Sequence, residues 1–133
     1  MSIIEDTKQL SDKFGLQAYI LQLTPSNRKK YLEFRMNLLS EEFFEGTSAL
    51  KYGESDEFVD AMIDISVIAL GTLQHFGVDI ETAWKRVHEA NMTKQKGDKP
   101  GRNNLGMPDL MKPEGWIAPQ HKDNIGELHA TFK

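Results

Sequence analysis

Six carboxylates recur at helical spacing near the middle of the chain: Glu41, Glu42 and Glu45, then Glu57, Asp60 and Asp64. Glu41 and Glu45 are four residues apart and Glu42 and Glu45 three, so on a helix each pair shares a face. The same holds for Glu57 with Asp60 and for Asp60 with Asp64. Acids at such spacing usually form a solvated face. Here like charges at i,i+4 meet no basic partner at the compensating positions. Asp64 also lies within Met62-Ile63-Asp64-Ile65-Ser66-Val67, where an unpaired carboxylate is costly. A cation belongs beside it. An all-oxygen donor set, with no cysteine in the chain and no histidine at ligand spacing, selects a hard ion: magnesium or manganese best, with calcium an alternative. The Glu-x-x-His pair of di-iron bundles is missing, since Thr72 precedes His75 by three residues and Lys85 precedes His88. Magnesium held by a few carboxylates is commonly shared with substrate phosphates. The residues themselves therefore point to a magnesium–polyphosphate site in a helical bundle.

Four helical segments must position these acids. Residues 5–22 place Leu10, Phe14 and Ala18 four apart, with Leu21 following. Thr24-Pro25 starts a second segment over 25–47, with Leu32, Met36, Leu39 and Phe43 on one stripe. Gly46 to Gly53 is expected to loosen the chain, and Ser55 to cap a third segment over 56–75. Its middle, AMIDISVIAL, is apolar almost all round, which predicts a central buried helix. Asp79 caps a fourth segment over 80–94, with Ile80, Ala83, Trp84 and Val87 on the inner stripe. No stretch alternates with period two. The expected fold is all-α: a four-helix bundle-like core over 1–94. Residues 95–133 hold four of the five prolines and half the glycines. They should form an irregular tail, with a short helix near 122–130, packing on the core or on a neighbouring subunit.

Composition narrows the class. Sixteen Lys and Arg against 20 Asp and Glu leave a net charge of −4, the wrong field for a dedicated nucleic-acid binder. The acids concentrate in 41–64, where eight face only Lys51. No run of about 18 apolar residues predicts a membrane span. The start, MSIIEDTKQL, lacks the layout of a signal peptide, so a cytoplasmic protein is expected. Absence of cysteine excludes disulfides and thiol nucleophiles. There is no G-x-S-x-G and no phosphate-binding G-x-x-x-x-G-K-[ST].

Glu41-Glu42-Phe43-Phe44-Glu45 reads E-E-x-x-E, and Glu57-Phe58-Val59-Asp60 reads E-x-x-D. Phe76-Gly77-Val78-Asp79 precedes the fourth segment, and Val87-His88-Glu89-Ala90-Asn91-Met92-Thr93-Lys94 ends it. Lys112-Pro113-Glu114-Gly115-Trp116 follows, then Pro119. This ordered set resembles the all-α nucleoside triphosphate pyrophosphohydrolases, the MazG-like, dimeric dUTPase-like and phosphoribosyl-ATP pyrophosphohydrolase-like group. The tail looks like that of its small, often phage-encoded members. The resemblance covers roughly residues 5–120. It implies magnesium-dependent hydrolysis of a (d)NTP to the monophosphate and pyrophosphate, with Glu42, Glu45, Glu57 and Asp60 as metal ligands. Glu41 or Asp64 would be a further ligand or the base that orients water, and Glu42 would share in catalysis. A purine such as dGTP is the substrate suggested by the family's habits. The alternatives are phosphoribosyl-ATP, a modified nucleotide, or a non-catalytic acidic helical protein that binds a basic partner or calcium. Only 11 residues separate Glu45 from Glu57, at the short end of the family's spacing, so the turn between the acid helices must be tight.

Further residues are candidates for substrate contact. Asn91 and Lys94 continue the stripe of the fourth segment, and the family places an Asn and a Lys like these at the triphosphate. Arg35, seven residues before Glu42, reads first as a surface arginine, with pairing to an acid or contact with phosphate as alternatives. Trp84 reads as core. Trp116, a loop aromatic, could stack on a base or staple the tail. His75 and His88 read as surface or cap residues. The family dimerises, often further to a tetramer. The all-round apolar third segment and the adjacent Phe43 and Phe44 agree with a homodimer or homotetramer.

Overall fold

The computed structural model describes residues 2–99, 101–102 and 105–132, so Pro100 of the tail falls outside them. In chain order the elements are α1 (Ile3–Lys13), α2 (Leu16–Gln22), α3 (Pro25–Tyr52), α4 (Ser55–His75), α5 (Ile80–Met92), β1 (Gln95–Gly97), β2 (Asp109–Met111) and α6 (Leu128–Thr131). The fold is all-α apart from one small antiparallel hairpin. It divides into two compact units, Met1–Ile80 with Asn124–Lys133, and Glu81–Asp123.

In the first unit, α3 packs most extensively on α4, and α1 and α2 also lie against α4. The single segment expected over 5–22 is two helices. Gly15 takes the left-handed conformation (φ 61°), which glycine adopts without strain, and turns the chain between α1 and α2. Thr24 starts α3 as its spacing implies: its hydroxyl accepts from the Asn27 N–H at 3.2 Å, with Pro25 in the first turn. The helix does not loosen at Gly46. It runs on to Tyr52 and ends at Gly53, which is left-handed (φ 71°). Gly46 instead lies against α4. A methyl added there would sit 2.9 Å from Met62 Cε and 3.6 Å from Ala61 Cβ, and Ala49 and Ala61 are both buried alongside.

α4 is not the buried central helix that its composition predicts. Ala61, Gly71 and His75 are its buried residues, whereas Val59, Ile63 and Val67 are exposed. Its faces exceed what the other helices of one chain can cover. Among the described residues it is the one helix long and apolar enough to cross a membrane by length and composition. The inner stripe of α3 is likewise open at Met36 and Phe43, and Trp84 of α5 is exposed where core was expected.

The buried core of this unit gathers Ile20, Phe76, Val78 and Ile80. The C-terminal segment closes over it. The Glu127 N–H donates to the Phe76 carbonyl at 2.7 Å, and the Glu127 carboxylate takes Arg28 at 3.1 Å. Gly126 (φ 50°) passes so close to the Phe76 carbonyl that a Cβ would collide with it. Asn124 exchanges two hydrogen bonds with the backbone of Asp79, at 2.9 and 2.8 Å.

His75 is buried, not a surface or cap residue. Arg35 donates to Thr72 Oγ1 at 2.9 Å and to the Ile68 carbonyl at 3.0 Å, tying α3 to α4. The Tyr31 hydroxyl and His75 Nδ1 share a hydrogen bond of 2.7 Å. Burial, and then the nearby guanidinium, lower the His75 pKa to about 4. The unfolded chain would take up this proton near pH 6.5 and the folded chain only near pH 4. The stability from a neutral His75 is therefore complete above pH 6.5 and is lost as pH falls toward 4. Urea unfolding should show a loss on the order of 3 kcal/mol over that interval from this group. His75→Gln should flatten it, and an unchanged pH slope in that variant would rule the account out.

Candidate active site

The acids meet because the helices that carry them meet. The α3–α4 turn is only Gly53 and Glu54, so the helices run back antiparallel, and the small residues Gly46, Ala49 and Ala61 let them approach closely. Glu42 and Glu45 lie on α3 beside this contact, and Asp60 and Asp64 flank Ala61 on α4. Glu42 and Asp64 are half-buried, whereas Glu41, Glu45, Glu57 and Asp60 are exposed.

The electrostatics identify which acids face one another. The Glu42 carboxyl is held above the usual carboxylate range, first by desolvation and then by Glu45, Asp64 and Asp60. Four of the six sequence candidates, two from each helix, thus share one field. Glu45 also lines a small depression of about 210 Å³ with Glu57 and Glu54, so it links Glu57 to the group. Glu41 is not among the charges that act on Glu42. Glu54 at the turn was not singled out by spacing, because it precedes the helix and belongs to neither triplet.

A divalent cation fits this donor set chemically. Every donor is a carboxylate oxygen. Glu42 Oε2 is enclosed and, among the described residues, has no hydrogen-bond partner. Among those residues no three Asp, Glu or His side chains are gathered into a finished cage. The acids form a face rather than a closed set.

The remaining candidates divide between the units. Arg35 is in the first, with Nε and Nη2 committed to α4. Asn91, Lys94 and Trp116 are in the second. There, Trp116 is half-buried, and its indole N–H donates to the Ala90 carbonyl at 3.0 Å and to Thr93 Oγ1 at 2.9 Å. Arg86 grips Asp123 through two bonds of 2.7 and 2.9 Å. Trp116, Arg86 and Asp123, with Glu89, Thr93 and Glu114, line an open cavity of about 730 Å³.

Residues 16–91, spanning α2 to α5, match the family model described as phosphoribosyl-ATP pyrophosphohydrolase. The chain belongs to this family. With membership comes the general activity of a nucleotide pyrophosphohydrolase, and both carboxylate helices fall inside the matched span. No curated protein matches the chain in the comparison made with them.

The repulsion around Glu42 has a measurable consequence. A carboxyl with a raised folded pKa contributes stability at low pH that is lost as pH rises through that pKa. Glu42→Gln should therefore raise the melting temperature at pH 7.5 in a chelator, with the gain shrinking toward pH 4. A melting temperature below wild type under those conditions would show that Glu42 is not a repelled charge.

Proposed function

We propose that the chain is a magnesium-dependent nucleoside triphosphate pyrophosphohydrolase that converts a (d)NTP to the monophosphate and pyrophosphate. The observation that carries this reading is the juxtaposition of Glu42 and Glu45 with Asp60 and Asp64 across the close α3–α4 contact. Family membership supports the reaction class.

In this reading Glu42, Glu45, Glu57 and Asp60 hold the metal. When bound, magnesium would neutralise the triphosphate and acidify a water, and manganese could serve in its place. Asp64 lies one helical turn beyond Asp60 and is half-buried. It orients the attacking water and accepts its proton, with Glu42 beside it. Glu41 stands outside this group as an exposed helix acid. Asn91 and Lys94 contact the phosphates. Arg35 acts through α4, because its donors bond Thr72 and Ile68.

dGTP is the first substrate to test among canonical (d)NTPs. Phosphoribosyl-ATP belongs in the same panel because the matched family is described by that activity. Pyrophosphate release should require magnesium or manganese. Glu45→Gln and Asp60→Asn should each lower kcat at least about 100-fold while keeping the helical circular-dichroism spectrum, since losing one carboxylate weakens the metal more than it disturbs packing. Absence of pyrophosphate release from every substrate would falsify the reading. Near wild-type rates in both variants would remove these residues from the site.

We also propose that the active form is a homodimer or a dimer of dimers. Phe43 and Phe44 are 68% and 74% exposed, and the outer side of α4 is open at Val59, Ile63 and Val67. Such a surface on a single chain is a surface for partners. Light scattering on active protein should give at least twice 15.1 kDa. A monomeric mass with full activity would exclude assembly as a requirement.

A further inference from the structure

The second unit brings two lysines together on one aromatic ring. In the hairpin, Gln95 pairs with Met111, so Lys94 and Lys112 stand at the next facing positions. Like charges opposite one another on neighbouring strands destabilise a sheet. Here both ammonium groups lie over the Trp116 ring, 5.1 Å from its centroid for Lys94 and 5.2 Å for Lys112. An indole face attracts cations and partly offsets their repulsion.

The ring itself is fixed. Its N–H bonds to Ala90 and Thr93 at the end of α5 hold one edge. The Trp116 backbone N–H donates to the Pro113 carbonyl at 3.0 Å, with left-handed Gly115 (φ 76°) inside that turn. Pro113 and the hairpin thus bring Lys112 back to the place where α5 has delivered Lys94.

Among the described residues, neither the Lys94 nor the Lys112 ammonium is bound by a carboxylate in direct contact. Lys94 nevertheless lies close enough to Asp109 to help hold that carboxyl below its usual range, after the Leu110 N–H and the charges of Arg102 and Lys99. Asp109 pairs with Arg102 at 3.2 Å, and Asp123 with Arg86. Glu81–Asp123 holds eight Lys and Arg against six Asp and Glu, a positive balance in a chain that is acidic elsewhere. Two cations held on one rigid ring, within about 10 Å of each other, suit an anion with several charges along its length.

We propose that Trp116 is a positioning residue that holds Lys94 and Lys112 as a two-ammonium clamp for the phosphate chain of the substrate, and is not a platform for its base. This rests on the pyrophosphohydrolase reading and assigns to Lys112 a binding role beside that of Lys94. An aromatic side chain with its N–H edge bonded to α5 and two ammoniums over its ring is committed to the protein.

The test has a binding arm and a kinetic arm. In a Trp84→Phe background Trp116 is the sole tryptophan. Titration with inorganic triphosphate in the absence of metal should give a saturable change in its emission. Lys94→Ala and Lys112→Ala should each weaken that binding about tenfold or more, as expected for loss of one charged hydrogen bond. Lys112→Arg should restore most of it. In turnover, Lys112→Ala should raise KM about tenfold with kcat within roughly threefold, and Trp116→Phe should raise KM through both lysines. Wild-type triphosphate affinity and KM in Lys112→Ala, with turnover intact, would overturn the clamp and leave the enzymatic reading standing. Lysine-dependent triphosphate binding in a protein that hydrolyses no nucleotide would support the clamp and sink the enzymatic reading. A saturable response of Trp116 to deoxyguanosine, which carries no phosphate, would make the ring a base platform and overturn the proposal.

Discussion

The packing of α3 on α4 at Gly46 governs where the acids lie. Helix axes separated by large side chains lie at the upper end of the usual 8–10 Å range, and small residues at the crossing bring them nearer. Gly46, Ala49 and Ala61 supply those residues. Glycine inside a helix costs roughly 1 kcal/mol relative to alanine. Met62 Cε, the free end of a flexible side chain, occupies the space that a methyl at 46 would take, so an alanine there would displace that chain end, whereas a bulkier side chain would press on Ala61 as well, 3.6 Å away. Separation of the two helices would draw Glu42 and Glu45 away from Asp60 and Asp64. The interior glycine and the apposed acids are two aspects of one arrangement, in which local helix propensity yields to the approach of two backbones.

That arrangement brings negative charge together, and the first unit supports it away from the acids. Arg35 ties α3 to Ile68 and Thr72, the Tyr31–His75 contact joins the same helices, and Glu127 binds both Arg28 and Phe76. These contacts lie toward the far ends of the helices from the acids and are mostly hydrogen bonds formed at partly buried positions. They hold the helix pair without occupying any of the six carboxylates. Stability and chemistry are in this way assigned to different stretches of the same two helices.

Much of this was legible in the residue pattern. Spacing placed Glu42 with Glu45 and Asp60 with Asp64 on one face of their helices, because i,i+3 and i,i+4 geometry is local. Thr24-Pro25 marked the start of α3 for the same reason. The approach of the two acid faces, by contrast, depended on antiparallel packing with both turned inward. Gly46 misled, because glycine in sequence reads as a break, whereas here a neighbouring helix 15 residues away in the chain determines its use. AMIDISVIAL also misled: apolar character predicts cover but does not say whether the same chain provides it. His75 looked like a helix-end residue, and its burial depends on Tyr31 and Arg35, 44 and 40 positions earlier. The pairing of Lys94 with Lys112 depends on hairpin register, and three-residue strands leave too weak a pattern to read.

The two hydrogen bonds between Asn124 and Asp79 carry a topological consequence. They fasten together points 45 residues apart, on either side of Glu81–Asp123. Topologically that stretch is a guest within the first unit, entering after Ile80 and returning at Asn124 with both ends anchored in the host. Loop-closure entropy grows only slowly with length, so a guest held at a fixed doorway can lengthen, shorten or be exchanged at little thermodynamic expense to the host. The acid-bearing helices lie wholly in the host and the lysine hairpin wholly in the guest. A change of length or sequence within the guest would therefore leave the carboxylates of the host in place as long as Asp79 and Asn124 still meet.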